Sequence, residues 1–241
     1  MYKTSNPALS DAALKSAQSY DGQNVMTIQG TVNKAMMLLL LSVITASWAW
    51  SKPQAAVGFM MPALIAGFII AMVTIFKKQW ASVTAPIYAI IEGIVLGTIS
   101  ILFEARYPGI VMQAVALTFG TMFCLLLVYK SGLIKVTDKF RTGIVAATGA
   151  IALLYFISLI IGFFHMQMPF IYGSSPLGIG FSLIVVGIAA LNLVLDFDFI
   201  ESGSKQGAPH YMEWYAAFGL MITLIWLYME ILRLLTKLRS R

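Results

Sequence analysis

The stretch AAVGFMMPALIAGFIIAMVTIF (residues 55–76) is an unbroken run of uncharged residues, and it decides the class of this protein. About 20 consecutive apolar residues are needed to cross the hydrocarbon layer of a bilayer as a helix. The run also lacks the alternation of polar and apolar residues that a membrane β-barrel strand requires. Because lipid offers the backbone no hydrogen-bond partners, the segment predicts a transmembrane helix.

The rest of the chain follows the same pattern. Hydrophobic residues make up 59% of the 241 residues and charged residues only 11%, with a mean hydropathy of +0.85. A soluble domain is about a quarter charged, so a soluble fold of this size is excluded. We predict an all-α membrane protein with seven transmembrane helices, at residues 33–51, 55–76, 81–103, 109–129, 142–164, 178–198 and 213–235.

Residues 1–30 are polar and of mixed charge, and they lack the apolar core of a signal peptide. We expect them to form a cytosolic tail, with residues 31–241 forming the seven-helix transmembrane domain. Ten basic residues fall on the side of the N-terminus and six on the other side, which favours a cytosolic N-terminus. The basic C-terminal end does not fit this bias: either the last span does not fully cross, or the end is an exception to the rule.

Several classes of function are excluded or disfavoured by the sequence. The net charge of +6 is spread between apolar spans and forms no basic face interleaved with aromatic residues, so we expect no nucleic-acid partner. Neither a GxSxG nucleophile motif nor a glycine-rich phosphate loop is present, and we expect no enzymatic activity and no cofactor. Cys124 has no second cysteine to pair with, and the loop residues His165 and His210 lie at no ligand spacing, so we expect no bound metal.

Acidic residues inside the apolar spans are the best functional clue. Placing such a residue in a membrane span costs roughly 2.5–3.5 kcal/mol on scales of membrane insertion, so its presence indicates a structural or functional role. Glu92 lies in the third span, Asp196 and Asp198 lie near the end of the sixth, and Glu230 lies in the seventh. No basic residue appears deep enough in a span to pair with them. A carboxyl group in a low-dielectric site favours its neutral form, and two acids that share a site titrate in separate steps. The pattern predicts a proton-sensitive path for cations.

A purely structural role remains the alternative for these acids, each protonated and hydrogen-bonded between helices. For Glu92 the structural role is as well supported as the functional one, because Gly93 and Gly97 on the same helix predict a close contact with another helix. We expect Asp198 and Glu213 to lie at the membrane interface, where Glu213 also suits the first turn of a helix. Function is favoured for Asp196 and Glu230.

Three segments resemble the Bax inhibitor-1 superfamily, specifically its bacterial branch. PIYAIIEGIVLGTIS (86–100) resembles that family's EGLxLG segment, and NLVLDFDFIE (192–201) its FDTQLI segment. LIWLYMEILRLL (224–235) looks like its LFLDFI segment, and EWYAAFGL (213–220) is similar to a stretch of the bacterial members. The resemblance covers residues 33–235.

The resemblance implies a last helix that lies at the centre of the bundle, wrapped by the other six. It also implies a pH-sensitive cation leak, with calcium as the transported ion, in which Asp196 and Glu230 form the sensing pair. The expected location is the bacterial inner membrane, with lipid and cations as partners. The alternative that it implies is a non-transporting regulator that binds another membrane protein, such as a quality-control AAA protease.

The predicted span ends make contact between the two sensing acids difficult. Glu230 lies roughly 20–25 Å along its helix, at 1.5 Å per residue, whereas Asp196 lies about one turn from the same membrane face. The two side chains therefore meet only if one helix end is shifted or broken. The family's basic latch on the sensing acid has no clear equivalent here, with Lys77 and Lys78 as candidates.

Overall fold

The computed structural model describes residues 25–164 and 173–240. Most of the predicted tail and His165 lie outside the described residues. Within them, seven long helices follow one another: α1 (Ile28–Ser51), α2 (Pro53–Phe76), α3 (Ala81–Arg106), α4 (Ile110–Lys130), α5 (Asp138–Phe163), α6 (Pro176–Lys205) and α7 (Tyr211–Arg239). A short 3-10 turn (Lys78–Trp80) leads into α3. All seven helices are long and apolar enough to cross a membrane, which confirms the predicted all-α, seven-span fold.

Local signals in the sequence set several helix ends. Thr27, Thr137 and Ser175 each accept a backbone N–H in the first turn of the helix that follows, which caps α1, α5 and α6. Gly207 adopts a left-handed conformation (φ +66°) just after α6, as glycine does readily at a helix C-terminus. The resulting connection, residues 206–210, brings the start of α7 directly beside the end of α6.

Helix α7 lies at the centre of the bundle, as the resemblance implied. It packs against α1, α3, α4 and α6, while α2 packs on α1 and α3, and α5 packs on α6. Its buried residues lie on several sides of the helix, among them Phe218, Met221, Leu227 and Leu232. The six outer helices direct apolar side chains outward, such as Phe68, which is 66% exposed, and this is the surface that lipid covers.

The closest helix contact, between α1 and α3, depends on Gly93 and Gly97. A Cβ at Gly93 would overlap the side chain of Thr45 and the backbone of Ser42. At Gly97 it would lie 2.8 Å from the Cα of Ala46. The predicted small-residue contact is therefore present, and it joins α3 to α1.

The sixth helix is longer than the sequence predicted, and this changes the depth of Asp196. We expected the span to end at residue 198, but α6 continues to Lys205. The polar end stays helical because Glu201 forms an ion pair with Lys205 one turn later and accepts a hydrogen bond from the Tyr129 hydroxyl at 2.6 Å. Asp196 consequently lies nine residues, or about 14 Å, from the end of its helix.

Candidate functional site

Asp196 lines a cleft of about 720 Å³ that extends from the end of α6 into the bundle. We call the side of the bundle that holds Thr27, Lys205 and Tyr211 the N-terminal face, and the cleft lies in that half. Its polar lining residues include Arg141, Asn192, Asp196, Ser202, Gln206, Tyr215 and Thr223.

The carboxyl group of Asp196 is incompletely paired. Its Oδ2 atom is buried and has no hydrogen-bond partner among the described residues. The Thr223 hydroxyl of α7 faces the carboxyl group from across the cleft, although that hydroxyl also donates to the Gly219 carbonyl oxygen at 3.3 Å. A buried polar atom without a partner is costly, so this oxygen is well placed to accept a proton or a cation.

Glu230 lies in a different environment and does not contact Asp196. Its side chain is 2% exposed and forms an ion pair with Arg233, whose Nη1 lies 3.0 Å from both carboxylate oxygens. The Tyr155 hydroxyl of α5 donates to Glu230 at 2.9 Å and accepts from Arg233 at 2.5 Å. Glu230 also lies seven residues beyond Thr223, the residue of α7 that faces Asp196, which is roughly 10 Å along the helix axis. The structure therefore does not bring the two predicted sensing acids together.

The prediction that no basic residue reaches the acids was wrong for Glu230 and Asp198. Arg233 lies three residues after Glu230, a spacing that places both side chains on one helix face and that the sequence already shows. Asp198 binds Arg141, whose Nη2 lies 2.6 Å away and which lines the mouth of the cleft. Since Arg141 comes from α5, sequence spacing gave no sign of this pair.

Glu92 is half-buried and faces α2 and not another acid. A Cβ at Gly67 of α2 would lie 3.5 Å from its Oε2 atom. Two contacts between α3 and α7 show how deep Glu92 lies in the bundle. The two helices run in the same direction. Near their starts Tyr88 packs edge-on against Phe218, and farther along Ser100 hydrogen-bonds Tyr228. Glu92 lies between Tyr88 and Ser100 on α3, one third of the way from the first contact to the second. The point one third of the way from Phe218 to Tyr228 on α7 is near residues 221–222, so Glu92 lies at about that depth in the bundle. Glu92 is therefore nearly level with Thr223, which faces Asp196.

Glu213 lies in the first turn of α7, as expected, and its side chain is buried within the protein. Its Oε1 accepts hydrogen bonds from both the backbone N–H and the hydroxyl of Thr27, each at 2.8 Å. Its Oε2 forms an ion pair with Lys34 and lies 3.3 Å from Nε2 of His210. Glu213 therefore fastens the start of α1 to the start of α7.

The residues just before α1 cover the mouth of the cleft. Met26 is 1% exposed, its N–H donates to the Ala208 carbonyl at 2.7 Å, and its sulfur would lie 3.0 Å from a Cβ at Gly203. Val25 forms an isolated antiparallel bridge with Pro209. We call residues 25–27 the N-terminal strap, and its attachment to Glu213 closes this part of the cleft.

Basic residues near the end of α7 are hydrogen-bonded to neighbouring parts of the bundle. The buried Lys237 donates to the Gly178 carbonyl and the Ser182 hydroxyl, at 2.9 and 2.8 Å. Arg239 donates to the Pro108 carbonyl at 2.8 Å. Lys237 and Arg239 are thus bonded to α6 and to the turn before α4.

Comparison with known proteins identifies the family. A search of curated proteins finds no match. Within residues 25–164 and 173–240, no three His, Cys, Asp or Glu side chains are grouped so as to hold a metal ion. The family model described as Bax inhibitor 1 like matches residues 6–240. A match over nearly the whole chain, on a seven-helix bundle with a central last helix, shows that this protein belongs to the Bax inhibitor 1 like family.

Proposed function

We propose that this protein is a pH-sensitive cation leak pathway of the bacterial inner membrane, with calcium as the ion and Asp196 as the sensing acid. The observation that carries the proposal is the buried, unpartnered Oδ2 of Asp196 in a cleft that several polar side chains line. Ionisable groups at such depth are costly and typically mark ion or proton paths. The role is one of transport, without catalysis or a bound cofactor, and the N-terminus lies in the cytosol.

The proposed gate combines charge at Asp196 with a closed inner segment. When ionised, the carboxylate attracts a cation into the cleft; when protonated, it no longer does, and the cation site loses its charge. Beyond Thr223 the path meets the buried side chains of Leu224 and Leu227, which are 4% and 0% exposed. The lining of the cleft includes no residue of α7 beyond Thr223, so in this proposal conduction requires α7 to move relative to its neighbours.

Glu92 and Glu230 take different parts in this proposal. Glu92 lies at nearly the depth of Thr223 and is the better placed second acid along the path. Glu230 is held by Arg233 and Tyr155 and braces the closed half of the bundle. Asp198 holds Arg141 at the cleft mouth, so that the arginine is drawn toward Asp198 and away from the entering cation.

The test is calcium flux into liposomes that contain the purified protein and a trapped calcium dye. We expect wild-type flux to change with pH and Asp196→Asn to remove that pH dependence. Glu201→Gln is the matched control, because it neutralises an acid on the same helix that is already bonded to Tyr129 and Lys205 outside the cleft. Flux that responds to pH identically in Asp196→Asn and wild type contradicts the proposal.

A second candidate function is supported by an apolar groove of about 650 Å³ between α1 and α4. Its walls include Val32, Met36, Phe119 and Phe123, and its floor includes Leu220. Such a groove suits a transmembrane helix of another protein, as a regulator of a membrane protease would need. Photo-crosslinking from position 36 in cells tests this: a specific crosslinked membrane protein supports it, and crosslinks to lipid alone contradict it.

A further inference from the structure

The side-chain amide of Asn192 has an orientation that its hydrogen bonds fix. Its Nδ2 atom lies 2.9 Å from the carbonyl oxygen of Ile188 and 2.8 Å from the hydroxyl oxygen of Thr148. A backbone carbonyl oxygen only accepts hydrogen bonds, so the amide atom that faces it must be the nitrogen. Both hydrogens of Nδ2 are then used, and Oδ1 receives no hydrogen bond from any described residue.

Asn192 and Asp196 line the same cleft. They lie four residues apart on α6, so their side chains share one face of the helix. Both line the cleft, together with Thr223 of α7. The Thr223 hydroxyl lies 3.3 Å from the Gly219 carbonyl oxygen and also faces Asp196. Because a hydroxyl can rotate and carries two lone pairs, its oxygen can serve as a cation ligand.

We propose that Asn192 Oδ1, the Asp196 carboxylate and the Thr223 hydroxyl oxygen form a binding site for a divalent cation, and that Thr148 is the residue that positions Asn192. This inference rests on the proposed function, because it names the ligands of the same cleft. Calcium takes six to eight oxygen ligands from carboxylates, amide carbonyls and water. Three protein oxygens in a cleft of about 720 Å³ leave room for water to supply the rest.

These ligands also suit a site that ions pass through better than a site that holds an ion tightly. A single carboxylate with neutral oxygens gives weak binding, on the order of 0.1–1 mM for the least charged calcium sites of proteins. A conducting site must bind ions strongly enough to admit them and weakly enough to release them. Arg141 is the basic residue that lines the same cleft, and its ion pair with Asp198 offsets its charge there.

The test is equilibrium binding of radioactive calcium to the purified full chain in nanodiscs, measured apart from flux. We expect Asn192→Leu to weaken calcium binding about tenfold or more. Thr148→Val should weaken it less, while Thr148→Ser, which keeps the hydroxyl, should restore it. Asn33→Leu is the matched control, since Asn33 is exposed on α1 and bonds only to Gln29 among the described residues.

The outcomes separate this inference from the proposed function. Unchanged calcium affinity in Asn192→Leu overturns the inference, whatever the flux assay shows. Asn192→Asp nearly keeps the side-chain volume and adds a charge, so it should tighten binding; unchanged affinity there also overturns the inference if Asn192→Leu fails to fold. Binding that depends on Asn192 in a protein without calcium flux supports the site and contradicts the leak pathway.

Discussion

Glu230 and Arg233 lie one helical turn apart on α7 and form an ion pair inside the bundle, with Nη1 3.0 Å from both carboxylate oxygens. The Tyr155 hydroxyl of α5 completes the network by bonding to both residues. An acid that looks like a candidate sensor in the sequence therefore ties α5 to the central helix.

The first prediction concerns this ion pair. We expect Arg233→Gln to destabilise the protein by about 3–5 kcal/mol, because it leaves Glu230 as a buried charge without its cation. Glu230→Gln should cost less, since the more exposed arginine can reach water. Thermal unfolding of the two single variants and the double variant in detergent measures this. A double variant that loses the full sum of the two single effects would contradict the pairing.

The second prediction concerns the N-terminal strap. Met26→Ala should open the mouth of the Asp196 cleft, because it removes a large side chain that is 1% exposed. We expect a several-fold faster reaction of a cysteine at Ser202, which lines the cleft, with a membrane-impermeant maleimide. The background is Cys124→Ser, which leaves a single thiol to label.

Two further variants sharpen the test of the strap. Thr27→Ala removes one of the two hydrogen bonds that Thr27 donates to Glu213, and it should speed labelling less than Met26→Ala. Met36→Ala is the control, because Met36 is 53% exposed on the outside of α1. Equal labelling rates in Met26→Ala and Met36→Ala would show that the strap does not cover the cleft.

The third prediction concerns the contact between α1 and α3. Gly97→Ala should destabilise the protein by about 1–3 kcal/mol, because its Cβ would lie 2.8 Å from the Cα of Ala46. Gly120→Ala on α4 is the matched control, since a Cβ there meets nothing within 4 Å. Melting temperatures in detergent report both variants. A Gly97→Ala protein as stable as the Gly120→Ala protein would rule out the close packing of these helices.

The fourth prediction concerns topology. Seven crossings place the two ends of the chain on opposite sides of the membrane, and α7 has 29 residues, a length of about 43 Å that exceeds the roughly 30 Å hydrocarbon layer. With a cytosolic N-terminus, alkaline phosphatase fused after Ser240 in a bacterial host should be active outside the cytosol. A fusion after Lys130 should be inactive. Equal activity of the two fusions would mean that one of the last three helices does not cross.

The sequence was most informative about features that depend on hydropathy and local spacing. Apolar runs predicted the seven spans, and Gly93 and Gly97 predicted a close helix contact, because both signals are contained in neighbouring residues. The i, i+3 spacing of Glu230 and Arg233 was equally visible and was missed. Hydropathy misjudged the end of α6, because an i, i+4 ion pair and a bond from Tyr129 keep a polar segment helical.

What the sequence alone determined is that this chain has seven apolar segments long enough to cross a membrane, with acids inside them, since the cost of placing polar groups in lipid is read residue by residue. The tertiary structure decided which acids are paired. Arg141 reaches Asp198 and Lys34 reaches Glu213 from other helices, whereas Asp196 keeps a buried oxygen without a partner. These contacts join residues dozens to almost two hundred positions apart, and only the packing of the helices around α7 brings them together.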